Sequence, residues 1–242
     1  MVVHVRPVRK ACKPEASSHL NQWFKVDGHH GERGARPLSS PERSIVSPDS
    51  TAQTRARLRR MRAELSERAL ARNSAAICDH AQRCLRLLRP HTLAGYFGIR
   101  GEIDITGLLE SEALHGTRLA MPVLERHRPG QMHFRAWKPG QRLCRNGFGI
   151  AEPCPEAPRV WRRELDTVLL PLVGFDAHGH RLGMGGGYYD RYFARSRLSR
   201  QRRPYLVGIA HDFQQVPTLT PNAWDVPLDA VITESGWRRF TR

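Results

Sequence analysis

A glycine-rich stretch constrains the fold of this chain more than any other feature. It runs from Gly179 to Arg191 and reads G-H-R-L-G-M-G-G-G-Y-Y-D-R, with four glycines within five residues. The apolar segment Thr167–Val173 precedes it and predicts a strand, and a helix is predicted to begin near Tyr188. Glycines admit positive φ and let the backbone approach an anion closely. A strand, a glycine loop and a helix N-terminus in this order therefore predict a phosphate-binding site.

The spacing of the glycines differs from both familiar nucleotide-binding motifs. A Walker loop ends in Gly-Lys-Ser/Thr, which this stretch lacks. The dinucleotide fingerprint G-x-G-x-x-G, counted from Gly183, meets Tyr188 where its last glycine belongs. The cluster taken alone is therefore compatible with a structural turn as well as with a nucleotide site.

The longer string around the loop resembles the signature of one enzyme family. From Leu169 to Arg191 the chain reads L-L-P-L-V-G-F-D-A-H-G-H-R-L-G-M-G-G-G-Y-Y-D-R, which is similar to the 5-formyltetrahydrofolate cyclo-ligase (5,10-methenyltetrahydrofolate synthetase) family. The resemblance extends over roughly Arg55 to Glu234. It implies one three-layer α/β/α domain with a mostly parallel central sheet, like those of ribose-5-phosphate isomerase and CoA-transferase-like proteins.

The same resemblance implies a reaction and a set of site residues. The reaction is the ATP- and Mg²⁺-dependent cyclisation of 5-formyltetrahydrofolate to 5,10-methenyltetrahydrofolate, with release of ADP and phosphate, through a phosphorylated formyl oxygen. Arg181 and Tyr188 are expected to act in catalysis, and Asp190 and Asp229 to bind magnesium. The expected ATP contacts are Arg55, Arg59, Arg181, Gly183, Met184, Gly185, Gly186, Gly187, Tyr188 and Tyr189.

The first predicted helix carries the basic part of this pattern. Ser50 or Thr51 is a candidate N-cap, and apolar residues recur at Leu58, Met61 and Leu65. Spacing alone is typical of a solvated basic face. The resemblance instead assigns Arg55 and Arg59 to the ATP phosphates. Where some relatives have lysine at the first of these positions, Arg55 keeps the charge and offers a planar fork.

Glu102 follows the predicted strand His91–Ile99, at the edge where open α/β sheets bind ligands. A lone glutamate at this point is ordinarily a loop residue. The resemblance implies that Phe97 and Glu102 contact the pterin, with Tyr188 as a further substrate contact. A carboxylate suits the pterin edge, because the 2-amino group and the ring N–H offer two parallel donors.

The remaining pattern predicts alternating helices and strands. Ser66 is expected to cap a long helix that ends at Pro90, and Asp104 to cap a helix over Ile105–His115. Trp237–Arg242 is interpreted as a basic tail. The further predicted strands are Thr117–Leu124, Gln131–Trp137, Val168–Val173, Pro204–Ala210 and Val226–Glu234.

The formal charge of +16 implies anionic partners without identifying them. ATP and folate are anionic, and so is RNA, so an RNA-binding module is one alternative. Another ATP-dependent ligase or kinase with the same loop is a second. The aromatic residues, 7% of the chain, form no stacking-platform motif. Small-molecule substrates are therefore favoured over nucleic acid.

Further expectations concern organisation and compartment. Residues 1–50 hold five prolines and no sustained apolar period, which predicts a disordered or weakly attached extension before a single domain over 51–242. No run of 18 apolar residues and no secretory signal is present. Five cysteines without C-x-x-C spacing favour a reduced cytoplasmic compartment and no zinc site. We expect a monomer.

Overall fold

Five parallel strands form the centre of an eight-stranded sheet, in the order β12-β11-β10-β7-β1-β2-β3-β6. The parallel strands are β11, β10, β7, β1 and β2, while β12 and β3 run antiparallel to their neighbours at either side and β6 pairs with β3. The computed structural model describes residues 50–125, 127–194 and 203–241. This architecture confirms the predicted α/β class. The predicted extension lies outside the described residues, apart from its last position.

The helices are α1 (Thr51–Ala63), α2 (Glu67–Leu88), α3 (Thr106–Leu109) and α4 (Tyr188–Ala194). The strands are β1 (Thr92–Ala94), β2 (Arg118–Leu124), β3 (Met132–Trp137), β4 (Leu143–Arg145), β5 (Ala151–Pro153), β6 (Arg159–Val160), β7 (Thr167–Pro171), β8 (Gly174–Phe175), β9 (Arg181–Leu182), β10 (Tyr205–Ile209), β11 (Ala230–Thr233) and β12 (Gly236–Arg239). β4 and β5 form one separate hairpin, and β8 and β9 form another.

The two faces of the sheet bury different sets of side chains. Leu93 and Leu169 pack with α2 on one face, while their neighbours Ala94 and Val168 pack with Phe193 of α4 on the other. Successive strand residues point to opposite faces, so a strand covered on both sides needs a continuous apolar run. β7 has this composition, and it is a predicted strand that lies between β10 and β1 at the centre of the sheet.

α1 begins at the predicted cap. The Ser50 hydroxyl accepts a hydrogen bond from the Gln53 backbone N–H, and the Gln53 side chain accepts one from the Ser50 N–H. This reciprocal pair satisfies two amides that the first helical turn leaves without partners. Further along α1, Leu58 is 1% exposed and packs with Leu182 of β9. The helix is thereby fixed beside the β8–β9 hairpin.

Two predicted elements differ from the structure. The expected helix over Ile105–His115 is the four-residue α3 followed by a 3-10 turn, Glu112–Leu114. The Ser111 hydroxyl donates to the Leu108 carbonyl at 2.7 Å and competes with the helical hydrogen bonds there. The expected basic tail contains strand β12, which returns antiparallel along β11 after a tight turn.

The β4–β5 hairpin contains a disulfide. Cys144 and Cys154 are bonded, with their Cα atoms 5.1 Å apart, which differs from the expected free thiols. Their separation of ten residues gave no indication of a bond, since it is the antiparallel pairing of β4 with β5 that brings the two cysteines together. Cys84 is a buried thiol on the apolar face of α2.

Candidate active site

The glycine loop (residues 183–187) follows the β8–β9 hairpin directly and leads into α4. Gly185 and Gly187 adopt φ values of 102° and 58°, which a residue with a Cβ rarely takes. A Cβ added at Gly183 or Gly185 would meet no atom of the described residues within 4 Å, so the loop is open at these two positions. Arg55 of α1 donates from Nε to the Gly183 carbonyl at 2.9 Å and joins the first helix to the loop.

Arg191 of α4 braces the other end of the loop. Its guanidinium donates to the Gly186 carbonyl and, at 2.7 Å, to the Gly130 carbonyl. The same group lies 5.7 Å from the centre of the Tyr188 ring. The loop is thus held at both ends by arginine side chains, Arg55 and Arg191, that contact its carbonyls and not its backbone N–H groups.

Arg181 and Asp190 form a partly buried ion pair beside the loop. The Arg181 side chain is 5% exposed and donates to an Asp190 oxygen and to the Val226 carbonyl. Burial lowers the pKa of the Arg181 guanidinium, while the charges of Asp190 and Asp225 act in the opposite direction. Asp190 also accepts a hydrogen bond from the Val226 N–H at 3.2 Å. The charges of two carboxylates from different parts of the chain therefore act on one arginine.

Asp229, the second expected magnesium ligand, has other partners. Arg203 approaches both of its oxygens, with Nη1 2.9 Å from Oδ2, and the Leu206 N–H donates to Oδ2 at 2.9 Å. Asp229 precedes β11, and Leu206 lies near the start of β10, at the amino ends of parallel strands. This bonding pattern ties two neighbouring strands together.

Glu102 lies in a buried ion pair with Arg62 of α1. The two side chains are 7% and 3% exposed, with Arg62 Nη1 3.6 Å from Glu102 Oε1. The other oxygen, Oε2, accepts a hydrogen bond from the Ile99 N–H at 3.2 Å. Burial raises the pKa of Glu102, and Arg62 counteracts that effect. A left-handed turn at Gly101 presents the glutamate, and a Cβ there would lie 2.8 Å from the Arg62 carbonyl oxygen.

The Arg62 guanidinium connects this buried pair to the glycine loop. It donates to the Arg100 carbonyl at 3.1 Å, and its Nη2 lies 3.9 Å from Met184 Sδ in the loop. Met184, an expected ATP contact, and Glu102, an expected pterin contact, therefore both lie next to the Arg62 side chain.

Aromatic rings adjoin Glu102 and Phe97. The half-buried Phe97 packs edge-on against Trp137, with ring centres 5.4 Å apart. Tyr189 of α4 is close enough for the charge of Glu102 to contribute to its raised pKa, although burial is the larger cause. Trp137 is 4% exposed, and its indole N–H has no hydrogen-bond partner among the described residues. A buried donor of this kind is suited to a ligand oxygen.

The structure therefore brings together most of the predicted residues. Three residues were missed: Arg62, Trp137 and Asp225. Arg62 sits four positions after Leu58 on the apolar stripe of α1, a placement that signals a buried arginine. The sequence contained no signal that distinguishes Asp225 from Asp229, because only the fold shows which of them lies near Arg181.

Comparison with known proteins identifies the family. The family model described as the 5-formyltetrahydrofolate cyclo-ligase family matches residues 48–234. The chain belongs to this family. The 5-formyltetrahydrofolate cyclo-ligase of Haemophilus influenzae is 34% identical over 178 residues, covering 73% of this chain and 93% of that protein. The Escherichia coli protein of the same name is 38% identical over 146 residues, covering 60% and 79%.

Solved structures agree with this cyclo-ligase assignment. The 5,10-methenyltetrahydrofolate synthetase of Aquifex aeolicus, solved by NMR, matches with a TM-score of 0.67 and 31% identity, covering 79% of this chain and 93% of that one. The Mycoplasma pneumoniae synthetase matches with a TM-score of 0.61 and 25% identity, covering 77% and 99%. The expectation of a cyclo-ligase enzyme is confirmed. Within the described ranges, no helix has both the length and the apolar character needed to cross a membrane.

Proposed function

We propose that this chain converts 5-formyltetrahydrofolate to 5,10-methenyltetrahydrofolate in a reaction that consumes ATP and requires Mg²⁺. Family membership supports the folate conversion. ATP dependence of the reaction is supported by the position of Arg62, which reaches both the buried Glu102 and Met184 of the open glycine loop. A site for a triphosphate and a site for a pterin would then share one corner of the fold.

The chemical difficulty is that a formyl oxygen is a poor leaving group. In the proposed reaction, that oxygen attacks the γ-phosphorus of ATP and ADP leaves, which gives an imino-phosphate. The neighbouring nitrogen N10 then attacks the formyl carbon and releases its proton, the C–O bond breaks, and inorganic phosphate departs with the oxygen. Catalysis of this kind depends mostly on positioning and on charge neutralisation.

The phosphate side of the site supplies donors and positive charge. Backbone N–H groups of the glycine loop would hold the phosphates, with Arg55, Arg59 and Arg181 balancing their charge. Arg181 is buried and held by Val226 and Asp190, so its guanidinium is fixed in position beside the loop. Tyr188 would lie between the two substrates.

The donor set suits Mg²⁺ better at Asp190 and Asp225 than at Asp229. Mg²⁺ is usually held by one or two carboxylates, with water and phosphate oxygens filling its octahedral shell. Asp190 and Asp225 both act on Arg181 beside the loop, whereas Asp229 pairs with Arg203 at the amino ends of β10 and β11. When bound there, the ion would offset the charge of the phosphates. We therefore propose Asp225 in place of Asp229 as the second ligand.

On the folate side, Glu102 would accept the paired donors of the pterin edge while Phe97 covers the ring. Arg62 keeps a positive charge next to Glu102, which favours the ionised carboxylate that this contact requires. The monomeric state and the cytoplasmic location stay predictions.

The direct test mixes the protein with ATP, Mg²⁺ and 5-formyltetrahydrofolate and follows the near-ultraviolet absorbance of methenyltetrahydrofolate. We expect the absorbance to rise only when all three are present, with one ADP released per product. A rise without ATP would contradict the ATP-dependent reaction. ADP formation without the absorbance change would indicate a different acceptor.

A further inference from the structure

A cavity of about 350 Å³ lies at the tip of the β8–β9 hairpin, where the hairpin meets the end of β12. Its ionisable lining residues are His178, His180, Arg238 and Arg239, and none of the residues that line it, all of them described, is acidic. None of them belongs to the glycine loop or to the Arg62–Glu102 pair. The volume falls at the lower end of the range of small-ligand pockets.

The buried Asp176 orients His180, one of the residues that line the cavity. Asp176 is fully buried and accepts hydrogen bonds from the backbone N–H groups of His178, His180 and Leu219 at 2.9 to 3.0 Å. His180 Nδ1 lies 2.8 Å from Asp176 Oδ2, so this nitrogen donates to the carboxylate. The opposite ring nitrogen, Nε2, is thereby directed away from Asp176. The histidine is held in one orientation before any ligand arrives.

Aromatic rings hold the arginines of the opposite wall. The Arg238 guanidinium lies 5.3 Å from the centre of the Phe240 ring and 5.9 Å from that of Phe175. Arg239 lies 5.9 Å from the centre of the Tyr205 ring. Cation–π contacts of this kind restrict a long side chain. An arginine restricted in advance loses less conformational freedom when it binds a ligand.

The two walls are packed against each other. Gly179, at the hairpin tip, has φ of 83°, and a Cβ added there would lie 2.9 Å from the Phe240 ring and 3.0 Å from the Leu228 carbonyl oxygen. The Leu228 N–H donates to the Gly179 carbonyl at 2.8 Å. The tip of the hairpin is therefore held against Phe240 and Leu228.

We propose that this cavity is a second anion-binding site, which takes the phosphate group of a small phosphorylated metabolite. The planar guanidinium of Arg238, whose Nη2 lies 3.4 Å from Gln215 Oε1, can donate from its other N–H groups to phosphate oxygens. Arg239 and the two histidines provide further donors. Phe240 and Pro227 provide an apolar surface for the ring or short chain that carries the phosphate. The volume admits one such group.

The test is a titration of the full-length protein with inorganic pyrophosphate at low salt, followed by calorimetry. Arg238→Met keeps the aliphatic stem and removes the charge, while Arg86→Met removes one exposed arginine from α2 as a matched control. We expect Arg238→Met to weaken pyrophosphate binding about tenfold or more, since charge-assisted hydrogen bonds are lost. His178→Ala, at an exposed position, should weaken it in the same direction, and Arg86→Met should leave it unchanged.

Several outcomes would overturn the proposal. These are no pyrophosphate binding at millimolar concentration, equal weakening by Arg238→Met and Arg86→Met, or no weakening by Arg238→Met and His178→Ala. Tighter binding of single-stranded RNA than of pyrophosphate, lost in Arg238→Met, would assign the surface to nucleic acid instead. The rate of methenyltetrahydrofolate formation should be the same in Arg238→Met and wild type, so the anion site and the proposed cyclisation fail or succeed separately.

Discussion

The two ion pairs at the candidate active site bury their arginines to nearly the same extent, but the carboxylate of one pair is more exposed to water than that of the other. Arg62 is 3% exposed and Arg181 is 5% exposed, whereas Glu102 is 7% exposed and Asp190 is 22% exposed. A carboxylate closed off from water suits recognition of a flat, neutral ring edge by hydrogen bonds. A carboxylate that water still reaches suits a hydrated cation and phosphates. The difference in exposure thus matches the two tasks proposed for the site.

The largest effect is expected on stability, from a change to the buried Arg62–Glu102 pair. Arg62→Met leaves the Glu102 carboxylate buried without its counter-charge, and we expect the free energy of unfolding to fall by about 3–5 kcal/mol. Urea denaturation measures this change. Arg60→Met is the matched control, because the Arg60–Glu64 pair on the same helix is 72% and 67% exposed. Its loss should cost no more than about 0.5 kcal/mol. Equal effects of the two changes would remove the contrast between buried and exposed pairs.

The next effect is on catalysis. Glu102→Gln keeps the shape of the side chain and replaces one acceptor oxygen with a donor. We expect kcat/KM for 5-formyltetrahydrofolate to fall about 100-fold, since a buried charged hydrogen-bonding partner is lost. KM for ATP should change little, because the glycine loop is intact. A fall in ATP affinity of similar size would show that Glu102 supports the loop and not the pterin.

Glu102 also predicts a pH dependence of stability. Its pKa is raised in the folded protein, mainly by burial, so the folded state holds this proton at a pH where the unfolded chain has released it. The contribution of Glu102 to stability therefore decreases as pH rises from the ordinary glutamate range through the raised pKa. Unfolding midpoints in urea across this range should show the decrease in wild type and its absence in Glu102→Gln. A wild-type contribution that increases with pH would contradict the raised pKa.

Substitutions of three aspartates distinguish a role in Mg²⁺ binding from a role in stability. Asp190→Asn and Asp225→Asn should each raise the Mg²⁺ concentration for half-maximal activity about tenfold, because Mg²⁺ sites rest on one or two carboxylates. Asp229→Asn should lower the unfolding midpoint and leave the Mg²⁺ requirement unchanged, since it weakens the pairing with Arg203. If Asp229→Asn alone altered the Mg²⁺ requirement, Asp229 and not Asp225 would be the Mg²⁺ ligand.

The smallest effect is expected at the exposed arginines of α1. The variable positions of the glycine loop hold Met184 and Gly186, so the loop supplies no basic side chain of its own. Arg59→Ala should raise KM for ATP several-fold. Arg57→Ala, also exposed and on the same helix, should not. Equal changes in the two variants would indicate a general effect of surface charge.

Local patterns in the sequence predicted the elements that local chemistry decides. The Ser50 cap of α1, the apolar stripe of α2 and the buried run of β7 follow from capping and periodicity. The helix expected over Ile105–His115 was too long, because the Ser111 hydroxyl competes for a helical carbonyl. Spacing rules carry no information about such a competition.

The exposed half of the site was predictable from the sequence to a greater extent than the buried half. Glycines and arginines around Gly185 form a continuous string, so a resemblance of sequence covers them together. Arg62 and Glu102 are forty residues apart, and only the turn at Gly101 brings them into one pair. Likewise, Asp225 and Asp229 differ by four positions, yet the path of the chain before β11 gives them different arginine partners.

The position of the Arg62 guanidinium between Glu102 and Met184 has a thermodynamic consequence. If a nucleotide displaces Met184 when it occupies the loop, the balance of contacts around Arg62 changes, and so does the charge that Glu102 experiences. Binding free energies are reciprocal, so the factor by which ATP alters folate affinity must equal the factor by which folate alters ATP affinity. One side chain would then make the two substrates cooperative without any movement of the sheet.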